Sequence, residues 1–265
     1  TSGTLKTVAG ENIESVTVQN SVKYYYGATV PSLTAKTMTI EGHTVTFSKW
    51  TSNNETYVKS STVNPYGSFT WPAIPDGTAI TLTASASKTP NKYEVTYKDV
   101  VGSTTGKVLG TSKESVNFGT QVTGASKGTD TTEGAYYKGY LYDSSTTATV
   151  TTSGATVYRI FKPSTNTKYT VEHYVMKTDG TYEEEATKVD STKTGTTDSK
   201  VTIANLKDST LLVTNGIYYS YGQVDGKTVT STTIKGDGTR VIKLYYARTS
   251  GTLKTVAGEN IESVT

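Results

Sequence analysis

The sequence predicts an all-β protein made of three small modules in tandem, and three observations lead there. Threonine supplies 55 of the 265 residues, and valine, isoleucine and 20 tyrosines are spread along the whole length between turn residues. Such residues suit a pleated, half-buried surface, while strong helix formers are sparse. Short apolar-polar segments are punctuated by Asp76–Gly77, Asp179–Gly180, Asn215–Gly216, Asp225–Gly226 and Asp237–Gly238, pairs that favour tight turns. A similar closing strand also recurs three times, at Ala79–Ala86 (AITLTASA), Thr156–Lys162 (TVYRIFK) and Arg240–Arg248 (RVIKLYYAR).

The first module is placed at residues 1–88. Val45–Trp50 (VTFSKW) reads as a strand in its middle. In its closing strand Ile80, Leu82 and Ala84 share one face. Val30–Lys36 is the best helical candidate in the chain, because Pro31 suits a first helical turn. The second module, 89–166, follows a polar connector at Ser87–Lys92 (SKTPNK). It opens with Tyr93–Asp99 (YEVTYKD) and carries a tyrosine-rich strand over Ala135–Asp143 (AYYKGYLYD). Its closing strand is ambiguous, with apolar residues on both faces. The third module, 167–248, follows the connector Pro163–Lys168 (PSTNTK). It opens with Tyr169–Val175 (YTVEHYV), continues with Gly216–Gly222 (GIYYSYG) and closes with Ile242, Leu244 and Tyr246 on one face. Each connector holds a proline, which has no N–H to give a ladder.

Residues 249–265 repeat residues 1–17 (TSGTLKTVAGENIESVT) without a change. They are expected to start the next copy of a 248-residue unit in a longer array. Tandem copying suits a fibre, a stalk or a multivalent binder better than an enzyme.

The third module resembles the mucin-binding-protein (MucBP) repeats and the related Listeria–Bacteroides, internalin B-type repeats of Gram-positive surface adhesins. The resemblance rests on YTVEHYVMKTDGTY at 169–182, GIYYSYGQVDGKTV at 216–229 and TRVIKLYYAR at 239–248. YEVTYKDVVGSTTGKVLG at 93–110 is similar to the opening of the mucin-binding repeat. VTFSKWTSNN at 45–54 and GSFTWPAIPDGTAITLTA at 67–84 look like the internalin-type pattern, with Trp71 where methionine is usual. The resemblance implies compact β-grasp-like modules in a long, wall-attached extracellular protein. Immunoglobulin-like β-sandwich modules are the alternative fold.

Composition narrows the chemistry. The chain has no cysteine, so thiol catalysis and thiolate metal sites are excluded. Its net charge is +3, and its 23 lysines are scattered, which gives no basic stripe for nucleic acid. No apolar run is long enough for a membrane span. His43 and His173 are far apart and belong to no catalytic motif, and Glu183, Glu184 and Glu185 lack the spacing of a calcium loop. No enzyme activity, cofactor or metal is expected. Gln19, Gln121 and Gln223, one per module, are the candidates for an ester cross-link with threonine, and lysine–asparagine isopeptides form a second such class.

The tyrosine clusters remain. Consecutive tyrosines on a strand cannot all point inward. Tyr137, Tyr140, Tyr218 and Tyr221 are therefore the candidate glycan-stacking residues, with core or junction packing as the competing role, which Trp50 and Trp71 share. The expected function is a structural repeat that projects an adhesive tip from the cell surface, its partners being neighbouring repeats. A multivalent binder of mucin or other glycans and a self-assembling filament are the alternatives.

Overall fold

The computed structural model describes residues 1–214 and 216–263. Asn215 of the expected Asn215–Gly216 turn, and residues 264–265 of the expected further copy, lie outside the described residues.

The chain is all-β, as its threonine, valine and tyrosine content requires. The first stretch contains β1 (Ser2–Ala9), β2 (Ile13–Val16), β3 (Val22–Tyr25), β4 (Thr29–Val30), β5 (Ala35–Thr37), β6 (His43–Ser52), β7 (Phe69–Thr70) and β8 (Thr78–Pro90). Four of these form a sheet in the order β3-β1-β8-β6, and β2-β5 and β4-β7 form small ribbons. The next stretch contains β9 (Lys92–Val101), β10 (Val108–Asn117), β11 (Gln121–Thr123), β12 (Tyr140–Ser145), β13 (Thr147–Thr149) and β14 (Ala155–Pro163). Its sheet order is β10-β9-β14-β12, with a β11-β13 ribbon. The last contains β15 (Thr167–Val175), β16 (Lys188–Gly195), β17 (Lys200–Thr202), β18 (Ile217–Val224), β19 (Lys227–Thr228), β20 (Ser231–Thr233) and β21 (Val241–Arg248). These give the order β16-β15-β21-β18-β19 and a β17-β20 ribbon.

In the first and third sheets the opening and closing strands are parallel neighbours: β1 runs beside β8 and β15 beside β21. This arrangement is β-grasp-like and differs from the antiparallel sheets of an immunoglobulin sandwich.

By packing, the chain divides into two compact units. One is Thr1–Tyr97, Ser112–Thr123 and Thr147–Val157; the other is Lys98–Thr111, Gly124–Thr146 and Tyr158–Thr265. The first unit contains an aromatic core. Leu5, Val30, Leu33, Trp50, Trp71 and Leu82 are fully buried there. Tyr24 stacks on Trp71 with ring centres 5.3 Å apart, and Tyr66 meets the edges of both Trp50 and Phe69. Large rings supply much of the buried area where apolar residues are few. A smaller core of Val95, Tyr97, Val122, Val150 and Val157 lies in the same unit. The second unit is built on Tyr169, Val171, Ile203, Ile234, Ile242, Leu244 and Tyr246.

Three local expectations are corrected. Val30–Lys36 is not helical: Val30 ends β4 and Ala35 begins β5. Val30, Leu33 and Ala35 are all buried, and packing of these side chains overrides the proline signal. The connector Ser87–Lys92 is strand through Pro90 and again from Lys92, and Pro163 likewise ends β14. Only Tyr140–Asp143 of the expected strand Ala135–Asp143 is strand. Before it the chain turns at Gly134 and Gly139, both at positive φ, which suits glycine.

Candidate functional site: sheet junctions and the tyrosine clusters

Where one sheet hands the chain to the next there is almost no slack. Asn91 alone separates β8 from β9. Its N–H donates to the Gly42 carbonyl at 2.8 Å, and its own carbonyl accepts from the Phe118 N–H at 2.8 Å. Its side-chain Oδ1 accepts from the Thr44 hydroxyl at 2.6 Å. The Phe118 ring lies over Gly42, where a Cβ would fall 2.1 Å from the ring. His43 and Tyr93 meet the same ring edge-on at 5.6 and 6.2 Å.

The second hand-over, between β14 and β15, is built similarly within the second unit. Ser164, 2% exposed, donates its N–H to the Gly139 carbonyl and accepts at its carbonyl from the Thr197 N–H. The hydroxyls of Thr167 and Thr197 meet at 2.6 Å. Gly139 and Gly236 approach backbone to backbone, and a Cβ on Gly139 would lie 2.4 Å from the Gly236 Cα.

Beside this lies a charged cluster. Lys107 Nζ donates to both Asp198 oxygens, at 3.1 and 3.0 Å, and to the Tyr140 hydroxyl at 3.0 Å. Tyr140 in turn donates to Asp198 Oδ2 at 2.5 Å. The hydrogen bond to Tyr140, followed by that to Asp198, holds the Lys107 ammonium above its ordinary pKa. Burial pushes the Asp198 carboxyl up, but hydrogen bonds from Tyr140 and Lys107 outweigh it and leave it below the usual carboxylate value.

A second cluster fills the closing strand that looked ambiguous. Val157, Arg159 and Phe161 all face inward from β14. Arg159 holds Asp99 bidentately, through Nε to Oδ1 at 2.8 Å and Nη2 to Oδ2 at 2.7 Å. Its Nη1 donates to the Lys127 carbonyl at 2.7 Å, and the guanidinium lies 4.3 Å from the centre of the Tyr136 ring. Tyr137 donates to Asp99 Oδ2 at 2.7 Å. Burial first, then its bond to Asp99, pushes the Tyr137 hydroxyl up to about 12. Glycines make room for the phenols: a Cβ on Gly110 or Gly128 would lie 2.2 Å from the hydroxyl of Tyr137 or Tyr136. Sequence reasoning missed this cluster, although an arginine between two inward apolar residues of a strand is its signal.

No protein-family model and no curated protein matches the chain. Among solved structures it is similar to "Streptococcal High Identity Repeats in Tandem (SHIRT) domains 3-4 from cell surface protein", with 14% identity and a TM-score of 0.32. That likeness covers 62% of this chain and 98% of the other. No family is thereby assigned.

The four candidate tyrosines do not form one group. Tyr137 and Tyr140 are committed to Asp99 and Asp198. Tyr218 and Tyr221 stand on β18, in the third sheet. There Tyr174, Tyr245 and Tyr221 stack across three adjacent strands, with ring centres 5.0 and 4.6 Å apart and planes 14° from parallel. Tyr182 meets Tyr245 edge-on at 5.1 Å, and Tyr218 is 48% exposed. Burial, then the neighbouring phenols of Tyr221, Tyr218 and Tyr245, pushes the Tyr182 hydroxyl up. Trp50 and Trp71 are wholly buried. Among the described residues, their indole Nε1 atoms are the buried side-chain polar atoms with no hydrogen-bond partner.

His173 is also interior. Its Nδ1 lies 2.9 Å from the Tyr246 hydroxyl and its Nε2 3.4 Å from Asp190 Oδ2. Because the Tyr246 oxygen accepts from the Asp208 N–H, its own proton is free to point at Nδ1. Gln19 is buried, with its Oε1 accepting from the Tyr24 hydroxyl at 3.0 Å. Glu184 and Glu185 are exposed, and Glu183 faces Lys177 at 3.3 Å. Among the described residues no group of three or more histidines and acids could hold a metal, and no helix is long and apolar enough to cross a membrane.

Proposed function

We propose that this chain is a structural repeat unit of a long extracellular bacterial surface protein, with β-rich modules at 1–88, 89–166 and 167–248. It acts as a stalk or spacer that projects an adhesive part away from the cell. The observation that carries this reading is the hand-over at Asn91, a single residue hydrogen-bonded through its N–H, its carbonyl and its side chain. Such a joint resists bending, whereas a flexible linker of polar residues lets its ends wander as a random coil. The unchanged recurrence of residues 1–17 at 249–265 supports an array in which length is set by copy number.

The test is small-angle scattering from one, two and four tandem copies of residues 1–248. A stiff spacer gives a maximum dimension that grows in proportion to copy number. Growth near the square root of copy number would overturn the reading.

One observation favours a second reading, a multivalent glycan binder. Tyr218 is exposed beside the ring group of Tyr182, Tyr221 and Tyr245. Bead-displayed copies binding a mucin and glycan panel, and losing that binding with Tyr218→Ala, would support it. Tyr137 and Tyr140 are poorly suited to this role, because their hydroxyls already serve acidic partners.

A further inference from the structure

The chain has 20 tyrosines spread along its length and no cysteine. Yet tyrosine rings meet one another in one region. Among the described residues, the ring pairs with tyrosine on both sides are Tyr174–Tyr245, Tyr182–Tyr245, Tyr219–Tyr246 and Tyr221–Tyr245.

The closest of these contacts is built by an irregularity. β18 and β21 are antiparallel, and their register shifts between Tyr219 and Tyr221. In a regular strand, residues two apart share a face. With Ser220 as the extra residue of a bulge, Tyr219 lies opposite Tyr246 and Tyr221 opposite Tyr245. Tyr246 belongs to the core, and its neighbour Tyr245 stands on the other face of β21. The bulge thus turns Tyr221 away from the core and onto Tyr245, with ring centres 4.6 Å apart and planes 14° from parallel. Both rings are half-buried, and Tyr218, earlier on β18, is 48% exposed.

The other two neighbours of Tyr245 are placed differently. Tyr182 meets it edge-on from further away, at 5.1 Å. The Tyr174 hydroxyl donates to Glu172 Oε2 at 2.7 Å and accepts from Lys243 Nζ at 3.3 Å, and that ammonium lies 5.2 Å from the Tyr174 ring centre. A cation held over a ring opposes removal of an electron from it. Tyr221 is therefore the partner best placed to react with Tyr245.

We infer that Tyr221 and Tyr245 are a site of oxidative modification, joined as a dityrosine by hydrogen peroxide acting through a one-electron oxidant such as a haem peroxidase. Each phenol gives up one electron and its hydroxyl proton. The two phenoxyl radicals couple through the ring carbons beside the C–O carbons. One C–C bond forms and two ring C–H bonds break, and those hydrogens replace the lost hydroxyl protons. The two electrons and two protons released reduce one peroxide to two waters. The product is a covalent bond between β18 and β21, closing the loop from Tyr221 to Tyr245 in a chain with no cysteine for a disulfide. This inference does not depend on the spacer reading.

The test treats the full chain, dilute and folded, with a haem peroxidase and one equivalent of hydrogen peroxide. A monomer lighter by two hydrogens is expected. Cleavage after lysine and arginine should then give residues 208–227 joined to residues 244–248, and fragmentation should place the bond at Tyr221 and Tyr245. Tyr221→Phe and Tyr245→Phe keep a ring in the stack but remove the phenol, and each should abolish this product. Tyr219→Phe should leave it unchanged, and the same treatment in denaturant should lose it. No dehydrogenated monomer, a bond placed at other tyrosines, or an equal yield from the unfolded chain overturns the proposal.

Discussion

Arg159 and Asp99 form a two-point ion pair inside the second sheet, with side chains only 9% and 11% exposed. Removing one partner from such a pair strands the other charge, which costs about 3–5 kcal/mol. Arg159→Ala is therefore expected to destabilise strongly, and Arg159→Ala with Asp99→Ala to cost much less than the sum of the single changes. Denaturant unfolding of the four proteins in this cycle checks both statements. Additive losses would mean the pair is not coupled.

Tyr137 belongs to the same cluster and sets an alkaline limit. Its folded pKa, about 12, lies above the ordinary value of 10. The folded state thus keeps a proton that the unfolded state releases. The stabilisation is complete below pH 10 and is lost as pH rises towards 12, by up to about 2–3 kcal/mol. Melting temperature should fall between pH 9.5 and 11.5, and Tyr137→Phe should flatten that fall.

Acid acts through Asp208. Hydrogen bonds first from Lys188 and then from Thr210 hold its carboxyl well below the ordinary carboxylate value. Here the sign reverses: the stabilisation is present above about pH 4 and disappears as pH drops below that value. Asp208→Asn should reduce the loss of stability between pH 5 and pH 2, measured by thermal unfolding. An unchanged slope would remove Asp208 from the account.

Gly139 separates two costs of adding a methyl group. Its φ of +80° resembles the +83° of Gly180, but Gly180 has open space around it while Gly139 faces the Gly236 backbone. Gly180→Ala should cost about 1–2 kcal/mol from the backbone alone. Gly139→Ala should cost clearly more and should loosen the Ser164 hand-over. Melting temperatures, with proteolysis near Ser164, would show the difference; equal losses would mean the close approach is unimportant.

Leu5→Ala should cost about 2–5 kcal/mol, the range for a buried leucine, and should shift tryptophan emission to the red at lower denaturant. Changes in the third sheet, such as Leu244→Ala, should leave that emission in place, since both indoles lie in the first core.

The strands were legible where side chains alternate against one core. Ile80, Leu82 and Ala84, and Ile242, Leu244 and Tyr246, face inward as their spacing requires. Legibility failed where a distant partner decided the outcome. Arg159 takes a core position because Asp99, sixty residues away, meets it there. Tyr136 and Tyr137 leave the strand pattern because their rings turn edge-on to Phe161. Of the candidate glycan residues, Tyr218 faces outward at 48% exposed, while Tyr140 is buried. Which ones do so depended on acids at positions 99 and 198 that no local pattern connects to them.

The parallel pairing of β1 with β8, and of β15 with β21, has a mechanical meaning. Parallel neighbours begin at the same end of a sheet, so the chain arrives at one end of the first and third sheets and departs from the other. A pull on the two ends drags the opening and closing strands past each other, along the direction in which their ladder lies. All rungs between Gly3↔Thr78 and Ala9↔Ala84 are then loaded at once, whereas strands peeled apart from one end give way rung by rung. Force applied along these two pairs would load the first and third sheets in shear, and each ladder would then fail as a whole and not rung by rung.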